Sequence, residues 1–327
     1  MRPYTCPTCG QMVFFDDTAC TACDTDLGFR PESREVSAVG SRDRRCANHD
    51  EIGCSWLVAE ADEELCRSCR LTRTRPPAGD AAMTLAWAEA EQAKRMLLWQ
   101  ALGLGLDIEG ATFDLKSGDV EPVITGHADG VITIDVREAD DVVRTRMRER
   151  MGEPYRTMLG HFRHEIGHYL WMTLVDGTDH LAGFREVFGD ETTDYAEALE
   201  AHYGSPDPEG WQDGYVSVYA TAHPWEDFAE TLAHYLHIRD TLETAGSFGL
   251  SVDGAHEALQ PAGDVPTSRA AVDRMAIEDL VERWLPLTYA LNAVNRSMGR
   301  PPLYPFVLAP AVIAKLGWVH ELVTDTS

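Results

Sequence analysis

The sequence predicts an α+β protein in two parts. A cysteine-rich ribbon module occupies residues 1–75, and a mainly helical domain with a small antiparallel sheet occupies 76–327. Three observations carry this reading. All eight cysteines stand before residue 70. Residues 112–136 contain short, β-branched, alternating runs, whereas from about residue 138 onward apolar residues recur at helical spacing.

Within the module, Cys6-x-x-Cys9 and Cys20-x-x-Cys23 form CxxC–x10–CxxC. Four thiolates at this spacing suit a tetrahedral structural zinc. The glycine after the second cysteine of CPTCG permits a tight turn. Cys46, Cys54, Cys66 and Cys69 make a second set in which one pair is CxxC. His49 could replace a ligand there, and interleaving between the two sets stays open on spacing alone. Four closed ligands leave no place for water, so these metals are expected to hold the fold.

The stretch 75–79, RPPAG, reads as a linker, because proline and glycine punctuate structure. Asp80 suits the N-cap of a helix over about 81–102. Strands are expected at 112–115, 122–125 and 131–136, with His127-Ala128-Asp129-Gly130 as the turn before the last. Helices are expected at 138–150, 154–175, 192–203, 225–240, 272–297 and 310–323. Loops with short helical turns should fill 177–190 and 204–214, and 246–268 reads as irregular.

The net charge of −26 opposes a general affinity for nucleic acid or anionic membrane. Residues 1–75 carry 10 Arg and 13 Asp/Glu, and the remainder 18 basic and 41 acidic residues. The arginine-rich run CRSCRLTRTR, 66–75, is either a dock for acidic surface or a solvated linker. No apolar run approaches the roughly 18–20 residues of a membrane span. The N-terminus carries no apolar segment like a secretory signal. A soluble, cytoplasmic protein is the expectation, and reducing conditions favour metal over disulfides for the clustered cysteines.

The chemistry concentrates in HFRHEIGHYLW, 161–171. On a helix of ~100° per residue, His168 falls about 40° and Glu165 about 100° from His164. Leu159, Phe162, Ile166, Tyr169 and Thr173 form a separate, mostly apolar stripe. Two imidazoles one turn apart can grip one metal, and the adjacent glutamate can reach a water bound there. Two histidines on a solvated helix face are the plain alternative, so a third ligand decides. HExxHxxGxxH fails, since Trp171 and Leu174 stand where glycine and histidine would be needed. A glutamate about twenty residues on would fall near Phe188, with Glu186 and Glu191 beside it. A stronger candidate is YATAHPWEDFAETLAHYL, 219–236, where His223-Pro224 opens a helix. Glu226 and Glu230 share one face of it, opposite Phe228, Leu232 and Tyr235. Glu226 could supply the third ligand, and Glu230 could orient a ligand histidine; an acidic solvated face is the alternative. His234 and His237 lie further along the same side, as core or supporting groups. Trp211, Tyr215 and Trp225 are candidates for an apolar subsite.

Taken together, these segments resemble a known family. CPTCG…FFDDTACTAC, CSWL, LCRSCRLTRT, HADGVITI, RHEIGHY, YATAHPWEDFAETLAHYLHI, LNAVNRSMG and LYPFVL are similar to the bacterial zinc-binding metallopeptidases that carry an N-terminal double zinc ribbon. The likeness covers nearly the whole chain and implies a zincin-like domain. The active-site segment also resembles gluzincin-type, lethal-factor-like proteases, in which HExGH is followed by Y–x6–EFFAE. That resemblance implies His164, His168 and Glu226 as ligands of one catalytic zinc and Glu165 as general base. It further implies Tyr219 as oxyanion stabiliser and Glu230 as the residue behind the ligands. Asp227 replaces an aromatic of that motif. The expected function is hydrolysis of peptide bonds in a peptide or protein substrate, with one catalytic and two structural zinc ions. The strand at 131–136 is expected to offer an edge to an extended peptide. The competing expectation is a non-enzymatic protein whose ribbon binds a protein partner and whose third metal is structural.

Overall fold

The computed structural model describes residues 1–59, 63–77, 79–140, 143, 157–205, 207–254, 265 and 269–325. The chain divides into two compact units, one comprising Met1–Met147 with Thr157–Phe162, the other including Arg163–Ser327.

The first unit begins with short antiparallel pairs. β1 (Tyr4–Thr5) pairs with β2 (Met12–Val13), and β3 (Leu27–Arg30) with β4 (Glu35–Ala38). β5 (Arg44–Arg45) pairs with β6 (Leu57–Val58). Two single-turn helices, α1 (His49–Ile52) and α2 (Arg67–Arg70), lie within the second cysteine set, and α2 carries Cys69. Such short elements bury little on their own, so aromatic contacts unite them with helix α3 (Ala81–Leu104). Phe15 stacks on Trp99 with centroids 5.5 Å apart, Phe29 meets Trp56 at 5.1 Å, and Trp99 Nε1 donates to the Tyr4 hydroxyl at 2.9 Å. Asp80 caps α3 as expected, its Oδ1 accepting from the amides of Ala82 and Met83.

All four arginines of the basic run are paired inside this unit: Arg67 with Glu109, Arg70 with Glu63, Arg73 with Asp114 and Arg75 with Glu51. Arg67 and Arg73 meet carboxylates beyond residue 75, as a dock on acidic surface requires, while Arg70 and Arg75 pair within the module. The charge of the run is matched by these carboxylates.

A four-stranded sheet follows the order β7 (Thr72–Thr74), β8 (Thr112–Lys116), β10 (Val131–Asp135), β9 (Gly126–Ala128). The sheet was expected to be antiparallel, and only β9–β10 is so; β7–β8 and β8–β10 are parallel. The reason is connectivity. Asp129 and Gly130, both at positive φ, turn β9 straight back onto β10, a two-residue hairpin that needs left-handed residues. The longer 117–125 connection carries the chain across, so β8 and β10 run the same way. Residues 122–125 form no strand. β10 lies between β8 and β9, which corrects the idea that it offers an edge to a peptide: residues 131–133 are paired on both sides.

The expected helix at 138–150 falls mostly outside the described residues; 136–139 form a 3-10 turn. Among the described residues of the second unit the helices are α4 (Met158–Leu174), whose first turn belongs to the first unit, α5 (Leu181–Phe188), α6 (Tyr195–Gly204) and α7 (Pro224–Ser247). They continue as α8 (Arg269–Val272), α9 (Ile277–Ser297) and α10 (Pro310–Asp325). α5 falls where a loop was expected. Its Phe184 and Phe188 pack on Phe228 and Trp318, and this tertiary burial stabilises so short a helix. The span expected as one helix over 272–297 breaks before α9, where Ala276 is extended. Among the described residues no helix is long and apolar enough to cross a membrane.

Candidate metal centre

The amphipathic reading of 161–171 placed the histidines on an open face. Instead, every residue from Phe162 to Leu170 is buried. α7 covers the polar side of α4 with carboxylates, and the side chains that looked solvated face one another.

His164 Nε2 and His168 Nε2 stand 3.1 Å apart. Glu226 Oε2 lies 3.0 Å from the first and 3.4 Å from the second. The three residues are 9%, 4% and 1% exposed. Ligands ~2.0–2.1 Å from a tetrahedral zinc are about 3.3 Å from each other, so this triangle has the size of one face of such a site. Glu226 Oε2 is buried and receives no hydrogen bond among the described residues. An anionic oxygen between two ring nitrogens, left without a donor, is what a cation would satisfy.

The tautomer of His164 agrees. Glu230 Oε1 accepts from His164 Nδ1 at 2.7 Å, which leaves the Nε2 lone pair toward the triangle. Glu230 Oε2 in turn accepts from Ser217 Oγ at 2.6 Å, and that oxygen takes the Ala220 amide at 3.1 Å. Burial opposes charge on all these groups, but their mutual attraction outweighs it. His164 is raised well above 6.5 through Glu226 and Glu230. Glu226 falls well below 4.5 through His168 and His164. Glu230, bonded to His164, drops to about 2. The pocket is electrostatically arranged for positive charge.

Glu165 is buried beside the ligands on α4. Tyr219 begins a 3-10 turn, Tyr219–Thr221, and its ring lies 5.8 Å from that of His164. Burial first, then the charge of Glu226 and more weakly that of Glu165, hold its phenol far above 10, so it stays a donor.

Asp227, the departure from the aromatic motif, is buried and accepts from Lys315 Nζ at 2.6 Å; the same ammonium donates to Gly214 O at 2.6 Å and lies over the Tyr215 ring at 4.1 Å. Burial pushes Asp227 up to about 7 despite Lys315. Tyr215 thus serves this pair. Trp225 packs on His168 with centroids 4.3 Å apart, and Trp211 opens a 3-10 turn, Trp211–Asp213. His234 Nδ1 meets the Tyr304 hydroxyl at 2.7 Å and His237 packs on Trp284 and Tyr304, so both support the fold behind the site.

Ser217 and Tyr195 had no sequence signal. Tyr195 Oη donates to Glu226 Oε1 at 2.6 Å across 31 positions, and no short-range pattern links the two.

The cysteines form two separate tetrads, Cys6/Cys9/Cys20/Cys23 and Cys46/Cys54/Cys66/Cys69, without interleaving. Two Sγ pairs stand 3.7 and 3.8 Å apart in the first and two stand 3.6 and 3.8 Å apart in the second. A tetrahedral zinc with ~2.3 Å bonds to sulfur separates its ligands by about 3.8 Å, whereas a disulfide needs about 2.05 Å. Cys66 Sγ accepts from the Cys69 amide and caps α2. His49 Nδ1 is engaged by the Cys54 carbonyl at 2.9 Å, so it stands aside from the sulfurs.

Two cysteine tetrads followed by a helical domain with a buried His-His-Glu triad make three groups that could each hold a metal ion, the class of zinc-ribbon and metal-centre proteins. Comparison with known proteins agrees. Residues 83–322 match a family described as "putative zinc-binding metallo-peptidase", and residues 3–80 match a zinc-ribbon domain. The chain belongs to that zinc-binding metallopeptidase family. Uncharacterised proteins of Mycobacterium bovis and of two Mycobacterium tuberculosis strains are 44% identical to it over alignments of 339 positions, covering 100% of this chain and 96% of each relative. No solved structure matches the chain.

Proposed function

We propose that the chain is a zinc-dependent peptidase in which His164, His168 and Glu226 hold the catalytic ion and the two cysteine tetrads hold structural ones. The observation that carries this reading is the triangle of two Nε2 atoms and Glu226 Oε2, 3.0–3.4 Å on a side, with Glu165 next to it in the HExxH pattern. A zinc ion held by these three residues would supply an acidified water and polarise the scissile carbonyl. Glu165 takes the water's proton and returns it to the leaving amine. Tyr219, kept protonated, donates to the oxyanion. Glu230, held by Ser217, fixes the His164 ring and its tautomer.

In this reading residues 1–75 are the ribbon module and 76–327 the catalytic domain. The substrate is a peptide or protein, and neither membrane nor nucleic acid takes part. Eight cysteines grouped for metal rather than joined as disulfides accord with a cytoplasmic setting.

The test is cleavage of a broad peptide library by wild type beside Glu165→Gln. Chelator-sensitive cleavage by wild type and none by the variant, with three zinc ions per chain in both, supports the proposal. An intact Glu165→Gln enzyme rejects the assigned base. A wild type that holds three zinc ions and cleaves nothing favours an interaction protein with a structural third metal.

A further inference from the structure

The contacts of Glu226 divide between its two oxygens. Oε2 faces the imidazoles, while Oε1 accepts from the Tyr195 hydroxyl at 2.6 Å. A carboxylate can bind a metal through one oxygen or both. An oxygen already held by a phenol is withheld from the second mode.

The way Tyr195 is placed supports a dedicated role. It is the first residue of α6, capped by Asp194, whose Oδ1 accepts from the Glu197 amide at 2.9 Å. No residue of α6 is buried, so core packing does not account for where this helix begins. His223 does. Its Nδ1 accepts from the Trp225 amide at 3.1 Å, which puts the proton on Nε2 for the Thr193 carbonyl, also at 3.1 Å. One imidazole thereby ties the start of α7, which carries Glu226, to the backbone two residues before Tyr195. The Tyr195 ring then rests edge-on against His223 at 5.3 Å and Trp225 at 5.7 Å, with its hydroxyl on Glu226.

We propose that Tyr195 is a positioning residue that holds Glu226 to one-oxygen coordination and so sets the coordination number of the metal. The proposal rests on His164, His168 and Glu226 being the metal centre. Outer partners of this kind contribute about 10–100-fold in metal affinity.

The test uses full-length wild type and Tyr195→Phe, which keeps the ring and removes only the hydroxyl. Retention of the two cysteine-bound zinc ions and an unchanged melting temperature without the third ion show that the variant is folded. Third-site zinc affinity is read by competition with a chromophoric chelator. Cobalt(II) is exchanged into that site alone and its visible spectrum recorded. The expected result is roughly 10–100-fold weaker zinc binding in Tyr195→Phe. Its cobalt bands should weaken relative to wild type, as coordination rises from four to five. A third ion bound equally well in both proteins, with the same cobalt spectrum, overturns the role of Tyr195 alone. A wild type that takes up no third ion overturns the centre and this proposal together.

Discussion

Gly167 of α4 lies directly against Ala229 of α7. A Cβ on Gly167 would stand 2.9 Å from Ala229 Cα and 3.2 Å from its Cβ, closer than two packed carbons tolerate. The glycine inside HEIGH lets the helix bearing the histidines press against the helix bearing the glutamates.

Gly167→Ala should therefore weaken third-site metal binding while the two cysteine sites stay loaded. Helix propensity favours alanine by up to ~1 kcal/mol, but overpacking costs about 1–3 kcal/mol and pushes the helices apart. Zinc competition and urea denaturation read the two effects, and Gly167→Val should be worse on both. An alanine variant with wild-type zinc affinity would show that this contact does not set the site.

Glu230 and Ser217 form a chain behind His164. Glu230→Gln should lower third-site zinc affinity about 10–100-fold by loosening the ring and its tautomer. Ser217→Ala should act in the same direction with smaller effect, because Glu230 keeps its bond to His164. A larger loss in the serine variant would contradict that order.

The two tetrads differ in access. Cys9 is exposed and Cys23 half-buried in the first, whereas all four cysteines of the second are buried. Under a thiol-reactive mercurial, zinc from Cys6/Cys9/Cys20/Cys23 should leave before zinc from Cys46/Cys54/Cys66/Cys69. Release followed with a zinc indicator in Cys9→Ser and Cys66→Ser proteins assigns the phases, and simultaneous release would refute the difference.

Arg73 grips Asp114 through two bonds, Nε to Oδ1 at 2.9 Å and a second nitrogen to Oδ2 at 2.5 Å. The hydrogen bonds from Arg73 hold this carboxyl below its ordinary 3.8. A folded-state value below the unfolded one gives stability that is complete above pH 3.8 and lost as pH falls through the folded value. The gap between wild type and Asp114→Asn in urea denaturation should be widest near neutrality and narrow below about pH 4. A gap that grows on acidification would reverse the assigned sign.

The parts of the site legible in the sequence were those with a local period: the histidines one turn apart, Glu226 and Glu230 on one helical face, and the paired cysteines. Burial of 162–170 on every side was not, because the partner that covers the polar face of α4 starts about fifty residues after that helix ends. Tyr195 and Ser217 carry no spacing signal at all; each meets its glutamate through the tertiary fold. The sheet's strands at 112–116 and 131–135 were readable from β-branched alternation. Their parallel pairing was not, since it depends on the route of the 117–125 connection. Gly167 was visible as a residue, but only the approach of Ala229 gives it a reason.

The indole of Trp225, 4.3 Å from the His168 ring and 6.0 Å from Trp171, gives the centre its own lamp. A paramagnetic ion seated on the histidines lies within quenching range of that emission. Occupancy can thus be followed by light, in the unlabelled protein, before any substrate is known.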